Sequence, residues 1–267
     1  MPIKTAVIQM RVDINTPEKN IETGFNFLQT AAMFGAKLIV MPEMWVTGLH
    51  AGLLDSPFVE KTSDIIKKIS KIAFDNKAAI VAGSFAYRSE SGADGKKVFN
   101  RVYVIDSNGV ICGTYDKIQV FTKNNEHTYS VPGNQVKVIE ADGMKIAPFV
   151  CFDLRFPELF RTAAFKGIDV ITISSQFPTS RINHWKAMIP ARAVENQCFV
   201  LASNAVGFDG NLSLGGNSMI ADYDGRVLKN CEDNEGAGFA DIDLDSGRNY
   251  RQKFMFLDEA FLKSKLS

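Results

Sequence analysis

Lys145-Ile146-Ala147-Pro148-Phe149-Val150-Cys151-Phe152-Asp153-Leu154-Arg155-Phe156-Pro157-Glu158 reads as an apolar strand that ends on a thiol and turns at once toward a helix. The helix is expected to start near Pro157, which suits a first helical turn. It should run to about residue 166, with Leu159, Phe160, Ala163 and Ala164 on its apolar side. A sulfur at such an elbow lies at the edge of a sheet, near the positive end of a helix dipole, where a thiolate is favoured. An arbitrary free cysteine is instead a small buried hydrophobe. The charged run that starts at Asp153, placed just where a buried strand gives way to a loop, favours the chemical reading of Cys151.

Working outward, strand-like runs alternate with amphipathic stretches. Strands are expected over residues 4–10, 37–41 and 79–85, with helices over 17–34 and 57–76 between them, which is an α/β pattern. The middle of the chain changes character. Residues 98–106 and 110–115 flank Ser107-Asn108-Gly109, and residues 136–140 and 144–151 flank Ala141-Asp142-Gly143, so each reads as a hairpin. Beyond the elbow come a strand at 169–174, a helix at 182–196 and a strand at 198–203. A third hairpin surrounds Tyr223-Asp224-Gly225, and a last strand lies near 238–242. So many strands with few helices suggest two mixed sheets face to face with helices outside, a four-layer αββα sandwich. The segment from Ser246, with Arg248, Arg251 and Lys253, has no core-like periodicity and is a candidate to dock on a partner subunit.

Composition narrows the function classes. The 267 residues have no Pro-, Gly- or Ser-rich divide, so one domain is expected over 1–267. Lysine plus arginine balances aspartate plus glutamate at 30 each, which leaves no overall field to attract nucleic acid or an anionic membrane. A small-molecule partner fits better. The start of the chain is too short in apolar length for a signal peptide and no run of 18 apolar residues occurs, so a cytoplasmic location is expected. Cys112, Cys151, Cys198 and Cys231 have no CxxC spacing, and four free thiols are expected, at most one of them chemical. His50, His127 and His184 are scattered and supply neither a metal site nor a serine triad; His127 reads as structural.

Two more polar residues share the placement of Cys151. Glu43 follows Leu38-Ile39-Val40-Met41-Pro42, and Lys117 follows Thr114-Tyr115-Asp116. Strand ends are where sites assemble in α/β sheets, so a carboxylate, an ammonium and a thiol in equivalent positions can converge. Taken singly, Glu43 and Lys117 read as solvated residues at the start of a loop.

Met41-Pro42-Glu43, Tyr115-Asp116-Lys117 and the elbow from Cys151 to Glu158 resemble, in order, the three signature motifs of the nitrilase superfamily, the carbon-nitrogen hydrolases. The likeness extends through Arg181-Ile182-Asn183-His184-Trp185, Ala191-Arg192-Ala193-Val194-Glu195-Asn196-Gln197 and Gly216-Asn217-Ser218. Glu126-His127 and Gln176-Phe177-Pro178-Thr179-Ser180-Arg181 look most like the ω-amidase branch, which hydrolyses the terminal amide of 2-oxo acid monoamides such as 2-oxoglutaramate. The resemblance implies a cofactor-independent, metal-free amidase and a homodimer or higher homo-oligomer.

An amide carbon is a poor electrophile, and thiolate attack followed by thioester hydrolysis eases its cleavage. Cys151 would be the nucleophile and Glu43 the base, with a pKa near the working pH. Lys117 and the backbone N–H of Phe152 would stabilise the oxyanion. The resemblance makes Glu126 an additional active-site glutamate that orients Lys117 or the substrate amide; its surroundings alone read as a charged loop. For a substrate carboxylate, Arg155 and Arg181 are the candidates. The bland alternatives are an ion pair of Arg155 with Glu158 or Asp153, and carbonyl capping by Arg181. Glu195 reads as a brace for its helix against the sheet or a partner subunit. Phe177 stands where relatives often carry tryptophan, and Asn217 where histidine is common, so Phe177 bears on substrate size and polarity. Rival readings are an N-carbamoyl-amino-acid hydrolase, a general aliphatic amidase, a nitrilase, a silent scaffold and a thiol-redox protein.

Overall fold

The computed structural model describes residues 1–50, 56–88, 98–209 and 212–259. In the first sheet the spatial order is β14 (Gly236–Ile242), β1 (Ile3–Gln9), β2 (Leu38–Val40), β3 (Ala79–Arg88), β4 (Val98–Ile105) and β5 (Ile111–Asp116). The second runs β13 (Val227–Asn230), β12 (Met219–Ala221), β9 (Phe199–Asn204), β8 (Val170–Ser175), β7 (Met144–Val150) and β6 (Ile139–Ala141). Each sheet has three parallel strands at its centre and antiparallel strands at its flanks.

Parallel neighbours need a crossover, and helices supply it. In the first sheet these are α1 (Pro17–Met33), then α2 (Pro57–Glu60) with α3 (Thr62–Asn76). In the second they are α4 (Pro157–Ala164) and α5 (Ile182–Asn196). The stretch expected as one helix over 57–76 breaks at Lys61 into α2 and α3. The two-residue period of a strand sorts the core. Val7, Leu38, Val40, Ala79 and Val81 share one face and lie in the buried cluster that takes in the second sheet, Leu201 among it. The intervening Ala6, Ile8, Ile39, Met41 and Ile80 face Leu28 of α1 and Ile69 of α3. The four-layer sandwich expected from the alternation is therefore the observed architecture.

Two features depart from expectation. Residues 206–209 and 212–215 form a small separate hairpin, β10 (Val206–Asp209) and β11 (Leu212–Gly215), which the reading from sequence omits. The segment from Ser246 is not featureless, because α6 (Leu244–Phe254) covers much of it. It packs on its own chain through Leu244 against the core, through Tyr250 on Tyr223 at 4.7 Å, and through charge. Arg248 donates from Nε and Nη2 to the two oxygens of Asp169, both at 2.8 Å, a charge-assisted fork. Among the described residues no helix is long and apolar enough to cross a membrane.

One backbone contact positions the loop that carries Glu43. At the bulge in β3, Gly83 has φ +74°, and a Cβ there would lie 2.2 Å from the carbonyl oxygen of Pro42 and 2.9 Å from the Trp45 ring. Backbone packs on backbone where only glycine fits. Gly83→Ala is expected to lower unfolding stability by roughly 2–4 kcal/mol, combining left-handed strain with overpacking. Urea unfolding measures it; a loss below about 0.5 kcal/mol would contradict this packing.

Candidate active site

Cys151 directly follows β7 and has φ +44°, a strained conformation for a residue with a Cβ. A single 3-10 turn, Cys151–Arg155, then separates it from α4. The buried carboxylate of Asp153 holds this elbow: it accepts from Val150 N at 3.0 Å, from Gln119 N at 2.8 Å and from the Tyr115 hydroxyl at 2.8 Å. Tyr115 and Gln119 flank Lys117, so Asp153 ties the end of β5 to the thiol. Burial outweighs these donors and raises the Asp153 pKa to about 6. From α5, Arg192 donates from Nε and Nη2 to the carbonyl of Leu154 at 3.2 and 2.8 Å.

Glu43 is fully buried just beyond β2. Its Oε1 accepts from Asn100 Nδ2 at 2.8 Å and Lys117 Nζ at 3.1 Å, and its Oε2 from Gln176 N at 3.0 Å. Gln176, just beyond β8, also donates from Nε2 to the Glu43 carbonyl at 2.9 Å. Lys117 begins where β5 ends and is sandwiched, its Nζ lying 2.7 Å from Glu126 Oε1 on the other side. Glu126 is buried, and its Oε2 accepts from Phe121 N at 2.8 Å. The structure therefore brings together Glu43, Lys117, Glu126 and Cys151, from the ends of β2, β5 and β7 and one 3-10 turn.

Charge follows from this enclosure. Burial alone would push the Lys117 pKa down, but the negative charges of Glu43 and Glu126 override it and hold the ammonium well above the ordinary lysine range. Cys151 keeps partial access to the cavity, yet the protein packed around it pushes its thiol far up, with the charge of Glu43 adding to burial and Lys117 opposing it. Burial and a neighbouring carboxylate therefore oppose the thiolate that a helix dipole would favour. The sulfur sits beside a carboxylate, and α4 starts only at Pro157. A thiol beside a buried proton acceptor and a fixed cation is suited to attack coupled to proton transfer.

Lys117, Glu126 and Cys151 line a cavity of about 310 Å³, walled by Phe121, Phe152, Phe177 and Leu212 and reached by Arg155, Arg181 and His184. Among the described residues neither arginine has a carboxylate within ion-pair distance. The alternative pairing of Arg155 with Asp153 or Glu158 is not present among the described residues; Asp153 is committed to the elbow. Arg155 instead lies 3.2 Å from His184 Nδ1 and 5.3 Å above the Phe177 ring. Burial, and then the neighbouring charge of Arg181, lower its pKa. Arg181 stacks 5.4 Å above Phe121 rather than capping carbonyls. Phe177 is buried against Trp185 at 5.4 Å, whose indole N–H is given to Asn217 O at 2.7 Å. Asn217 is buried at φ +56°. His127 is exposed and outside the cavity lining. Glu195 pairs with Arg192 of its own helix at 2.8 Å, not with the sheet, and so backs the brace on Leu154. All four cysteines are free.

Asn100, Asp153, Gln176 and Arg192 were not singled out for these contacts by sequence reasoning. Asn100 had a signal, an amide in phase with Val98, Val102 and Val104 on the buried face of its strand; Asp153, Gln176 and Arg192 lie inside the motifs but their partners are remote in sequence.

Comparison with known proteins assigns the chain to a family. Residues 4–252 match the family model described as carbon-nitrogen hydrolase. The chain is 34% identical over 252 residues to the 2-oxoglutaramate amidase of Bacillus subtilis (strain 168), covering 94% of this chain and 95% of that one. It is 31% identical over 228 residues to the omega-amidase YafV of Escherichia coli (strain K12), covering 85% of each. A solved CN-hydrolase superfamily protein from Xanthomonas campestris, with an arsenic adduct in its active site, superposes with a TM-score of 0.85 at 28% identity, covering 97% of each chain.

Proposed function

The chain belongs to the carbon-nitrogen hydrolase family, and from that premise we propose that it cleaves the terminal amide of a small carboxylate-bearing ω-amide, such as 2-oxoglutaramate, to an acid and ammonia through a thioester on Cys151. The observation that carries this reading is a Glu43–Lys117–Glu126 chain beside the Cys151 thiol, in one cavity with two arginines that have no carboxylate within ion-pair distance among the described residues. The similarity to a 2-oxoglutaramate amidase and to an omega-amidase supports the choice of substrate.

In this mechanism Glu43 takes the proton of Cys151 as sulfur attacks the amide carbon, so no standing thiolate is required. Lys117, held charged by two carboxylates, faces the oxyanion that develops, with the Phe152 N–H as second donor. Glu126 orients Lys117. The intermediate collapses as Glu43 returns the proton to departing ammonia, and Glu43 then activates the water that hydrolyses the thioester. Arg155 and Arg181 hold the remote carboxylate, where a guanidinium fork matches two oxygens. The aromatic walls exclude water from the reacting end.

The test is a panel of 2-oxo acid monoamides, dicarboxylic monoamides, N-carbamoyl-amino acids, uncharged aliphatic amides and nitriles, followed by ammonia release and by mass after a rapid acid quench. Turnover confined to carboxylate-bearing ω-amides supports the proposal. Preferential turnover of carbamoyl compounds or nitriles would transfer the site to another member of the family. Arg155→Met and Arg181→Met are each expected to raise KM for a carboxylate-bearing amide by roughly 10- to 100-fold, the worth of a charged hydrogen bond, with little change for an uncharged one. Equal losses on both substrates would remove the arginines from carboxylate binding.

A further inference from the structure

Asn100 lies on β4, with a single per cent of its surface exposed, and touches both charged partners of the thiol. Its Nδ2 donates to Glu43 Oε1 at 2.8 Å, while its backbone carbonyl accepts from Lys117 N at 3.0 Å. Glu43 Oε1 thus has two donors, Asn100 and Lys117, and both its lone pairs are engaged. Oε2 has one, the N–H of Gln176, and keeps a lone pair free. The amide orientation is dictated: turned about, Oδ1 would oppose a carboxylate oxygen. In the orientation adopted, Oδ1 is buried with no hydrogen-bond partner among the described residues. A buried amide that leaves its oxygen unsatisfied is a poor device for stability alone.

We infer that Asn100 is a positioning residue that divides labour between the two oxygens of Glu43. It saturates Oε1 so that proton traffic runs through Oε2. This rests on the reading of Glu43 as the base. In acylation the S–H bond of Cys151 breaks, the proton forms an O–H bond at Oε2, and the freed sulfur pair forms the bond to the amide carbon. In collapse the proton passes from Oε2 to the departing nitrogen. Throughout, Oε1 remains an acceptor for Asn100 and Lys117, so neither hydrogen bond need break when the carboxyl becomes neutral. The charged or titratable groups around Glu43 are Lys117 from the end of β5, Glu126 beyond it and Cys151 from the end of β7.

Asn100→Leu keeps the shape without the donor, and Asn100→Ala removes the amide without overpacking. Each folded variant is expected to lose kcat/KM by roughly 10²- to 10³-fold, mostly in kcat, within the range of general-base effects. The rate at which iodoacetamide alkylates Cys151 should also fall away on the acid side about one pH unit higher than in the unsubstituted protein, since a donor to the ionised carboxylate is gone. Alkylation needs no natural substrate, so it reports on Asn100 even if the amide panel fails, and the panel reports on the substrate even if alkylation is unmoved. An unshifted alkylation profile in a folded variant would overturn the inference. So would failure of both variants to fold, which would make Asn100 a residue of the core.

Discussion

Cys151→Ala should lower kcat for the amide by on the order of 10⁴- to 10⁶-fold while leaving a folded protein with no quench-trapped adduct. The magnitude follows from the site's construction. Glu43 and Lys117 can polarise the amide, but without sulfur there is no covalent step to divide the reaction, and water enters a pocket shaped for a thiol. Cys151→Ser is expected to be nearly as poor, because a hydroxyl is a weaker acid than even a thiol pushed far up by burial and by the charge of Glu43. Cys112, Cys198 and Cys231 do not substitute. Among the described residues none of the three lines the cavity that holds Cys151. The backbone adds a second readout. At φ +44° glycine is at ease where alanine and cysteine are not, so Cys151→Gly should unfold roughly 1 kcal/mol later than Cys151→Ala. Full turnover by Cys151→Ala, or an acyl adduct on another cysteine, would sink the nucleophile assignment.

The strands and crossover helices were legible because their signals are local. Pro17 at a helix start and the apolar face of α3 announce themselves within one element. Alternation along β1 sorts Ala6 and Ile8 from Val7 as a strand between two layers must. The placement of Glu43, Lys117 and Cys151 just past their strands was legible for the same reason. The resemblance supplied Glu126, whose own surroundings read as a polar loop. What stayed hidden depends on contacts between distant residues. Asn100 meets Glu43 across 57 positions and Gln176 meets it across 133, and neither separation has a pattern in one sequence. The thiolate expectation was incomplete for the same reason, since a dipole argument sees only the following helix, whereas burial and the charge of Glu43 push the thiol pKa up. Helix α6 escaped because its few packing residues, Leu244 and Tyr250, are set among polar and charged ones such as Arg248, which forks onto Asp169.

Lys117→Met is expected to damage stability as well as rate, and the pH dependence separates the two. The ammonium lies 3.1 Å from Glu43 and 2.7 Å from Glu126, with all three side chains nearly sealed from water. Removing it leaves two carboxylates buried without a counter-charge, which destabilises by roughly 3–5 kcal/mol near neutrality. The sign follows from proton binding. In the unsubstituted protein the Lys117 pKa is raised above its unfolded value, so its stabilising contribution is complete below about pH 10 and is lost only as alkali removes the proton. In the variant the two carboxyls would be stable buried only as neutral acids, and would bind protons more tightly folded than unfolded. Its stability should then fall as pH rises from about 4 toward 8, so the gap to the parent is narrow in acid and full at pH 8. Adding Glu126→Gln removes one of the stranded charges and should recover part of the stability, but not the rate, since the cation facing the oxyanion is still missing, a loss worth about 10²- to 10³-fold or more. Urea unfolding of both variants at pH 5 and pH 8 decides the matter. A stability loss independent of pH, or a double variant less stable than the single, would mean that Lys117 holds the site by packing and not by charge.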